Sequence, residues 1–146
     1  ERKIVAFCCN WCSYAGADMA GTSRMQYPPS VRIIRTMCSG RVSWRHIDRA
    51  FARRAVAVLV SGCHPGDCHY MNANYETKRR VDKYWEKMER LGLDKNRLQL
   101  AWISAAEGER FASKIKEMHQ YIGKVNKEEI EKAASVLSPD QKVKGK

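Results

Sequence analysis

Residues 55–63 read Ala-Val-Ala-Val-Leu-Val-Ser-Gly-Cys. The run from Ala55 to Val60 is apolar at odd and even positions alike. Central strands of a sheet covered on both faces have this pattern, which is typical of parallel sheets. Three further runs resemble it: Lys3–Phe7, Val31–Met37 and Leu98–Ile103. Pro28 and Pro29 force extended backbone just before the second run and end any helix that precedes it.

Helical spacing fills the gaps between these runs. Ser43 can cap a helix carrying Ile47 and Phe51 on one face. From about Asn74 to Leu91, Val81, Tyr84, Trp85, Met88 and Leu91 recur at helical intervals, and Gly92 supplies a stop. Ser104-Ala-Ala-Glu107 fits a capping box, opening a helix with Phe111, Ile115, Met118 and Ile122 inward. Tyr14–Arg24, with Gly16 and Gly21, reads as a weak helix or a loop. Strand–helix alternation four times over predicts an α/β fold. The expected form is a small parallel four-stranded sheet flanked by helices, flavodoxin-like, with strand order 2-1-3-4.

The chain has 146 residues, enough for a core without staples. Residues 1–123 form the expected α/β domain. Residues 124–146, with six lysines against four acids, read as a polar C-terminal extension. No apolar run approaches the roughly 20 residues that span a bilayer. The start is too short in its apolar part for a signal peptide and reads as a strand. The compartment implied is the cytoplasm, where thiols stay reduced.

Six cysteines punctuate this frame. Cys8, Cys9 and Cys12 follow the first strand, Cys38 the second, and Cys63 and Cys68 the third. Parallel strands end on one edge of their sheet, and ligands of open α/β sheets bind outside that edge. With order 2-1-3, cysteines from three strand ends converge. Cys9-Asn-Trp-Cys12 and Cys63-His-Pro-Gly-Asp-Cys68 have spacings found in iron–sulfur sites, including the four-then-two spacing of plant-type ferredoxins. Gly40, Gly62 and Gly66 let backbone amides approach cluster sulfurs, and Arg24 and Arg41 can offset an anionic cluster.

Two other chemistries compete for these thiols. A structural zinc adaptor would use four of them, though zinc knuckles usually come in similar pairs. A thiol–disulfide oxidoreductase would use Cys9 and Cys12 and leave Cys38, Cys63 and Cys68 unexplained. His64 and His69 suit a Rieske-type ligand role, or simply hydrogen bonding or solvent exposure. Trp11 and Tyr14 could shield a cluster or pack in the core. Trp85 and Met88 lie on a core stripe. No Ser-His-Asp set, phosphate-binding loop or carboxylate pair stands out.

Net charge is +11, and it is uneven: eight arginines stand between Arg24 and Arg54 against one acid, Asp48. No aromatic-interleaved basic module accompanies them, so nucleic acid is not an expected partner. A docking surface, or a field offsetting a buried anionic cofactor, suits them better.

The stretches "FCCNWCSYAGAD", "YPPSVRIIRTMCSGRV", "VLVSGCHPGDCHY" and "WISAAEGERF" resemble the delta subunit of methyl-viologen-reducing hydrogenase, a small iron–sulfur subunit of methanogenic and related archaea. They cover most of residues 4–113; Ser43-Trp44 departs from the family pattern but carries no ligand. The resemblance implies an electron-transfer subunit of an oxidoreductase complex, with no catalytic acid or base of its own and one 2Fe–2S cluster. It implies partners too: the hydrogenase small and large subunits, or formate dehydrogenase, and the flavin-containing A subunit of heterodisulfide reductase. Four ligands are expected among Cys9, Cys12, Cys38, Cys63 and Cys68. Cys12, Cys38 and Cys63 lead, from three separate strand ends, and Cys9 and Cys68 contend for the fourth place. Cys8 ranks last, since its side chain should oppose that of Cys9; the two trade roles if the strand ends one residue earlier.

Overall fold

A computed structural model of the chain describes residues 3–9, 31–36, 42–62, 73–103 and 106–137. Its strands are β1 (Ile4–Cys9), β2 (Val31–Thr36), β3 (Ala57–Gly62) and β4 (Leu98–Trp102). Its helices are α1 (Trp44–Ala52), α2 (Ala73–Arg90), α3 (Gly108–Ile122) and α4 (Lys127–Val136), with a 3₁₀ turn at Lys95–Arg97. All strand pairs are parallel, in the order β2-β1-β3-β4. The α/β class and the 2-1-3-4 order expected from the sequence are those observed. The weak segment Tyr14–Arg24 lies outside the described residues.

Each face of the sheet builds its own core. Ile4, Ala6 and Leu59 meet Phe111, Ile115, Met118 and Ile122 of α3. Phe7, Val58 and Val60 meet Ile47 and Phe51 of α1 and Tyr84 and Met88 of α2. Every residue of β3 is buried, which is what its unbroken apolar run requires. Val31, Arg32, Ile33 and Ile34 of the edge strand β2 alternate in exposure instead.

Local chemistry sets the helix ends. Ser43 is the N-cap of α1, and its backbone N–H donates to Nδ1 of His46 at 2.9 Å. Histidine here fills the third position of a capping box, where Glu or Gln is usual. The Ser104 capping box does not start α3, whose N-cap is Glu107. The Glu107 carboxylate instead lies 3.6 Å from Arg110, one turn on. Inside, Asp48 of α1 is buried and accepts from the Tyr84 hydroxyl, with Lys87 Nζ at 3.4 Å. Burial, together with the facing carboxylate, holds the Tyr84 phenol well above its ordinary pKa.

The amino edge of the sheet is closed by a buried arginine. Arg97 Nε donates to Val56 O (2.7 Å), Nη2 to Ala55 O (3.2 Å) and Nη1 to Glu129 O (3.2 Å). Its guanidinium also sits 5.1 Å from the Phe51 ring centroid. Burial lowers its pKa from the ordinary value, yet a guanidinium still keeps its charge. Arg97 thereby joins the entry of β3 to α4, a helix that periodicity does not reveal within residues 124–146. α4 sends Ile130 into one core and Ala133 into the other.

Arg97→Met should leave the buried carbonyls of Ala55 and Val56 without this donor. A loss of about 2 kcal/mol or more is expected in urea unfolding, since each buried orphan costs about 1–3 kcal/mol. Arg97→Lys should not restore it, because one ammonium cannot reproduce the planar fork.

Candidate metal centre

The carboxyl edge is built by three neighbouring strand ends. β1 ends at Cys9, whose register partner is Thr36, the last residue of β2. On the other side Cys8 pairs with Ser61, and β3 ends one residue later at Gly62. Gly62 O accepts from the Ile103 N–H at 2.9 Å, which holds β3 beside the exit of β4. In the sequence Cys63 follows Gly62 directly and Cys38 is the second residue after Thr36.

Cys8 and Cys9 are both buried thiols, outside any disulfide. Strand pleating sends them to opposite faces. Cys8 joins Ile4, Ala6, Leu59 and Phe111 in the core on the α3 side. Cys9 shares the parity of Val5 and Phe7, whose side faces α1 and α2. Burial, with the neighbouring Cys9 second, pushes the Cys8 thiol up to about 12. Cys8 therefore keeps its proton near neutral pH and packs as a small apolar side chain.

Two hydroxyls complete the edge, and sequence reasoning did not single them out. Thr36 Oγ1 donates to Cys8 O at 3.3 Å, tying the end of β2 to β1. Ser61 Oγ is buried and has no hydrogen-bond partner among the described residues. Buried hydroxyls are normally satisfied, and this one shares its face with Cys8, its register partner. The only signal for it was a polar residue interrupting an apolar strand just before a cysteine. Arg35, exposed, is the β2 register partner of Cys8 and brings positive charge to the same edge.

Cys12, Cys38, Cys63 and Cys68 lie outside the described residues, as do His64, His69, Arg24, Arg41, Gly40, Gly66, Trp11 and Tyr14. Among the described residues no three His, Cys, Asp or Glu side chains gather into a ligand set. Nor is any described helix long and apolar enough to cross a membrane. The structure thus brings together the strand ends that lead into the cysteine segments. The thiol present at the end of β1, Cys9, fits a sulfur-rich metal group.

The burial of Cys8 has a direct readout. In the native full chain Cys8 should resist iodoacetamide near neutral pH and react in urea, at least about a hundredfold faster. Peptide mass mapping of the alkylated protein checks this.

Comparison with known proteins adds sequence relationships to this geometry. The family profile described as "Methyl-viologen-reducing hydrogenase, delta subunit" matches residues 4–126. The iron-sulfur D subunit of the vhc F420-non-reducing hydrogenase of Methanococcus voltae is 52% identical over 122 residues, covering 84% of this chain and 85% of that protein. The iron-sulfur D subunit of the F420-non-reducing hydrogenase of Archaeoglobus profundus is 44% identical over 125 residues, 86% of this chain and 91% of the relative. The A subunit of the ferredoxin/F(420)H(2)-dependent CoB-CoM heterodisulfide reductase of Methanosarcina acetivorans contains a region 52% identical over 114 residues. That match takes in 78% of this chain but 14% of the larger protein.

Proposed function

Because the chain belongs to the methyl-viologen-reducing hydrogenase delta-subunit family, we propose that it is an electron-transfer subunit holding a 2Fe–2S cluster at the carboxyl edge of its sheet. It takes electrons from a hydrogenase, through that enzyme's small and large subunits, or from a formate dehydrogenase. It passes them to the flavin-containing A subunit of heterodisulfide reductase. The observation that carries this reading is the order β2-β1-β3, with three adjacent strand ends each leading into a cysteine segment.

Covalent geometry supports the convergence. Adjacent strands lie about 4.8 Å apart, and consecutive Cα atoms about 3.8 Å apart. Cys63 is one such step beyond Gly62, Cys38 two beyond Thr36 and Cys12 three beyond Cys9. Such tethers suit four ligands drawn from Cys9, Cys12, Cys38, Cys63 and Cys68. Cys8, turned into the apolar core with its proton retained, is not among them. A bound 2Fe–2S cluster supplies a one-electron carrier.

The likeness to two kinds of protein supports the partners. Separate chains similar to this one are named as parts of a hydrogenase. A similar segment also stands inside the far longer A subunit of a heterodisulfide reductase. An adaptor between those two enzymes accounts for both arrangements and calls for no substrate-binding groups of its own.

Anaerobically purified full-length protein should be brown, hold about two iron and two sulfide per chain, and give a rhombic EPR signal on reduction. Cys38→Ser should lose most of the iron, whereas Cys8→Ser should keep it. Colourless protein with stoichiometric zinc would refute the cluster. Dithiol-dependent turnover without iron, abolished by Cys12→Ser, would make it a thiol–disulfide oxidoreductase. Equal iron in the Cys38→Ser and Cys8→Ser proteins would overturn the ligand ranking.

A further inference from the structure

The α1 side of the sheet carries a feature that the cluster edge does not explain. α1 packs across β1 and β3, and the corresponding face of β2 lies beside it. Between them runs a groove of about 690 Å³. Its floor is Val5, Phe7 and Ile34, and Ile34 is 44% exposed although apolar and large. Lys3, Arg32, Arg49, Arg53 and Arg54 line it, and no carboxylate among the described residues does. From Lys3 to Phe7 along β1 the groove covers about 13 Å at a strand's rise per residue. At the Phe7 end the His46 ring lies 6.0 Å from the Phe7 ring, held there by its bond to the Ser43 N–H.

The backbone at Arg54 points to a use for this arginine. Arg54 has φ +65°, the one non-glycine positive φ among the described residues. It closes α1 with two bonds: Ala55 N–H to Ala50 O (3.0 Å) and Arg54 N–H to Phe51 O (2.9 Å). The same pair of bonds closes α2, where Leu93 N–H reaches Met88 O (2.8 Å) and Gly92 N–H reaches Glu89 O (3.1 Å). There the left-handed position, φ +74°, belongs to glycine, the residue this cap favours. One chain thus solves the same turn twice, once with the unstrained residue and once with an arginine on the groove. The Arg54 ion pair with Glu131 at 2.9 Å is exposed on both sides, and exposed pairs stabilise little. It does not account for the strained choice.

The form of the positive charge narrows the occupant. Compact phosphate sites are built from helix N-termini and glycine-rich loops. This groove instead receives the C-terminal turn of α1, through Arg49 and Arg53, which presents backbone carbonyls rather than the N–H groups of a phosphate cradle. Only long side chains bring positive charge, and they are spread along an apolar floor. Guanidinium forks match carboxylates, and the length accommodates about four extended residues.

We propose that this groove docks an acidic, extended segment of a partner protein, its carboxylates meeting Arg32, Arg49, Arg53 and Arg54 and its apolar side chains resting on Val5, Phe7 and Ile34. The groove runs along β1 from Phe7 toward the amino end, short of Cys9, so iron content reads cluster binding separately from docking. The test uses the anaerobically purified full chain and a short fluorescein-labelled peptide of alternating Glu and Leu, read by anisotropy. The peptide should bind in a salt-dependent way, and its Gln/Leu counterpart should not. Arg49→Gln with Arg53→Gln should weaken binding about tenfold with iron content unchanged. Arg54→Gly should also weaken it while leaving Tm equal or higher, because glycine relaxes the turn. Unchanged affinity in these variants overturns the proposal. So does tighter binding of tripolyphosphate, which would make the groove a phosphate site, or of poly-uridine, which would give it to nucleic acid.

Discussion

β1 is hydrogen-bonded on both sides, and that double pairing governs the geometry of the whole edge. Its register against β2 puts Cys9 beside Thr36, and its register against β3 puts Cys8 beside Ser61. A slip of one residue on either side would exchange the faces of every side chain in the strand. Cys8 would then leave the α3 core and Phe7 would leave the α1 core. The large apolar residues on both sides thus guard the register, and the thiols inherit their positions from it.

The opposite edge is held by different means. There Arg97 draws the entry of β3 and the backbone of α4 onto one guanidinium. The two ends of the sheet therefore divide the work. Charged hydrogen bonding fixes the amino end, and the carboxyl end carries the buried thiols of Cys8 and Cys9. Between them β3 is buried at every position.

Much of the fold was legible because β3 is apolar at every position and because Gly92 ends α2 where glycine is expected. Other parts lay beyond pattern reading. Arg97 looks like any surface arginine until its three carbonyl acceptors are seen. α4 buries few side chains, Ile130 and Ala133 within the helix, so its periodicity is drowned by the surrounding lysines and glutamates. Ser104 has the right spacing for a cap, but a capping box scores spacing and cannot see that Glu107 turns to Arg110. For the centre, the opposed faces of Cys8 and Cys9 followed from strand pleating alone. The roles of Cys12, Cys38, Cys63 and Cys68 rest on their place in the sequence and on the strand ends that precede them. Ser61 was hidden because a hydroxyl in an apolar strand usually finds a partner.

The outer strands carry a further consequence. On β4 the Leu98 carbonyl accepts from the Trp85 indole at 2.7 Å, so an edge acceptor is already engaged by the protein's own side chain. On β2 the margin is guarded by the charge of Arg32 and Arg35, both exposed. Open sheets are at risk of adding a stray strand from another molecule. Here a side chain occupies one acceptor at one border and arginine charge stands on the other, and both oppose such addition.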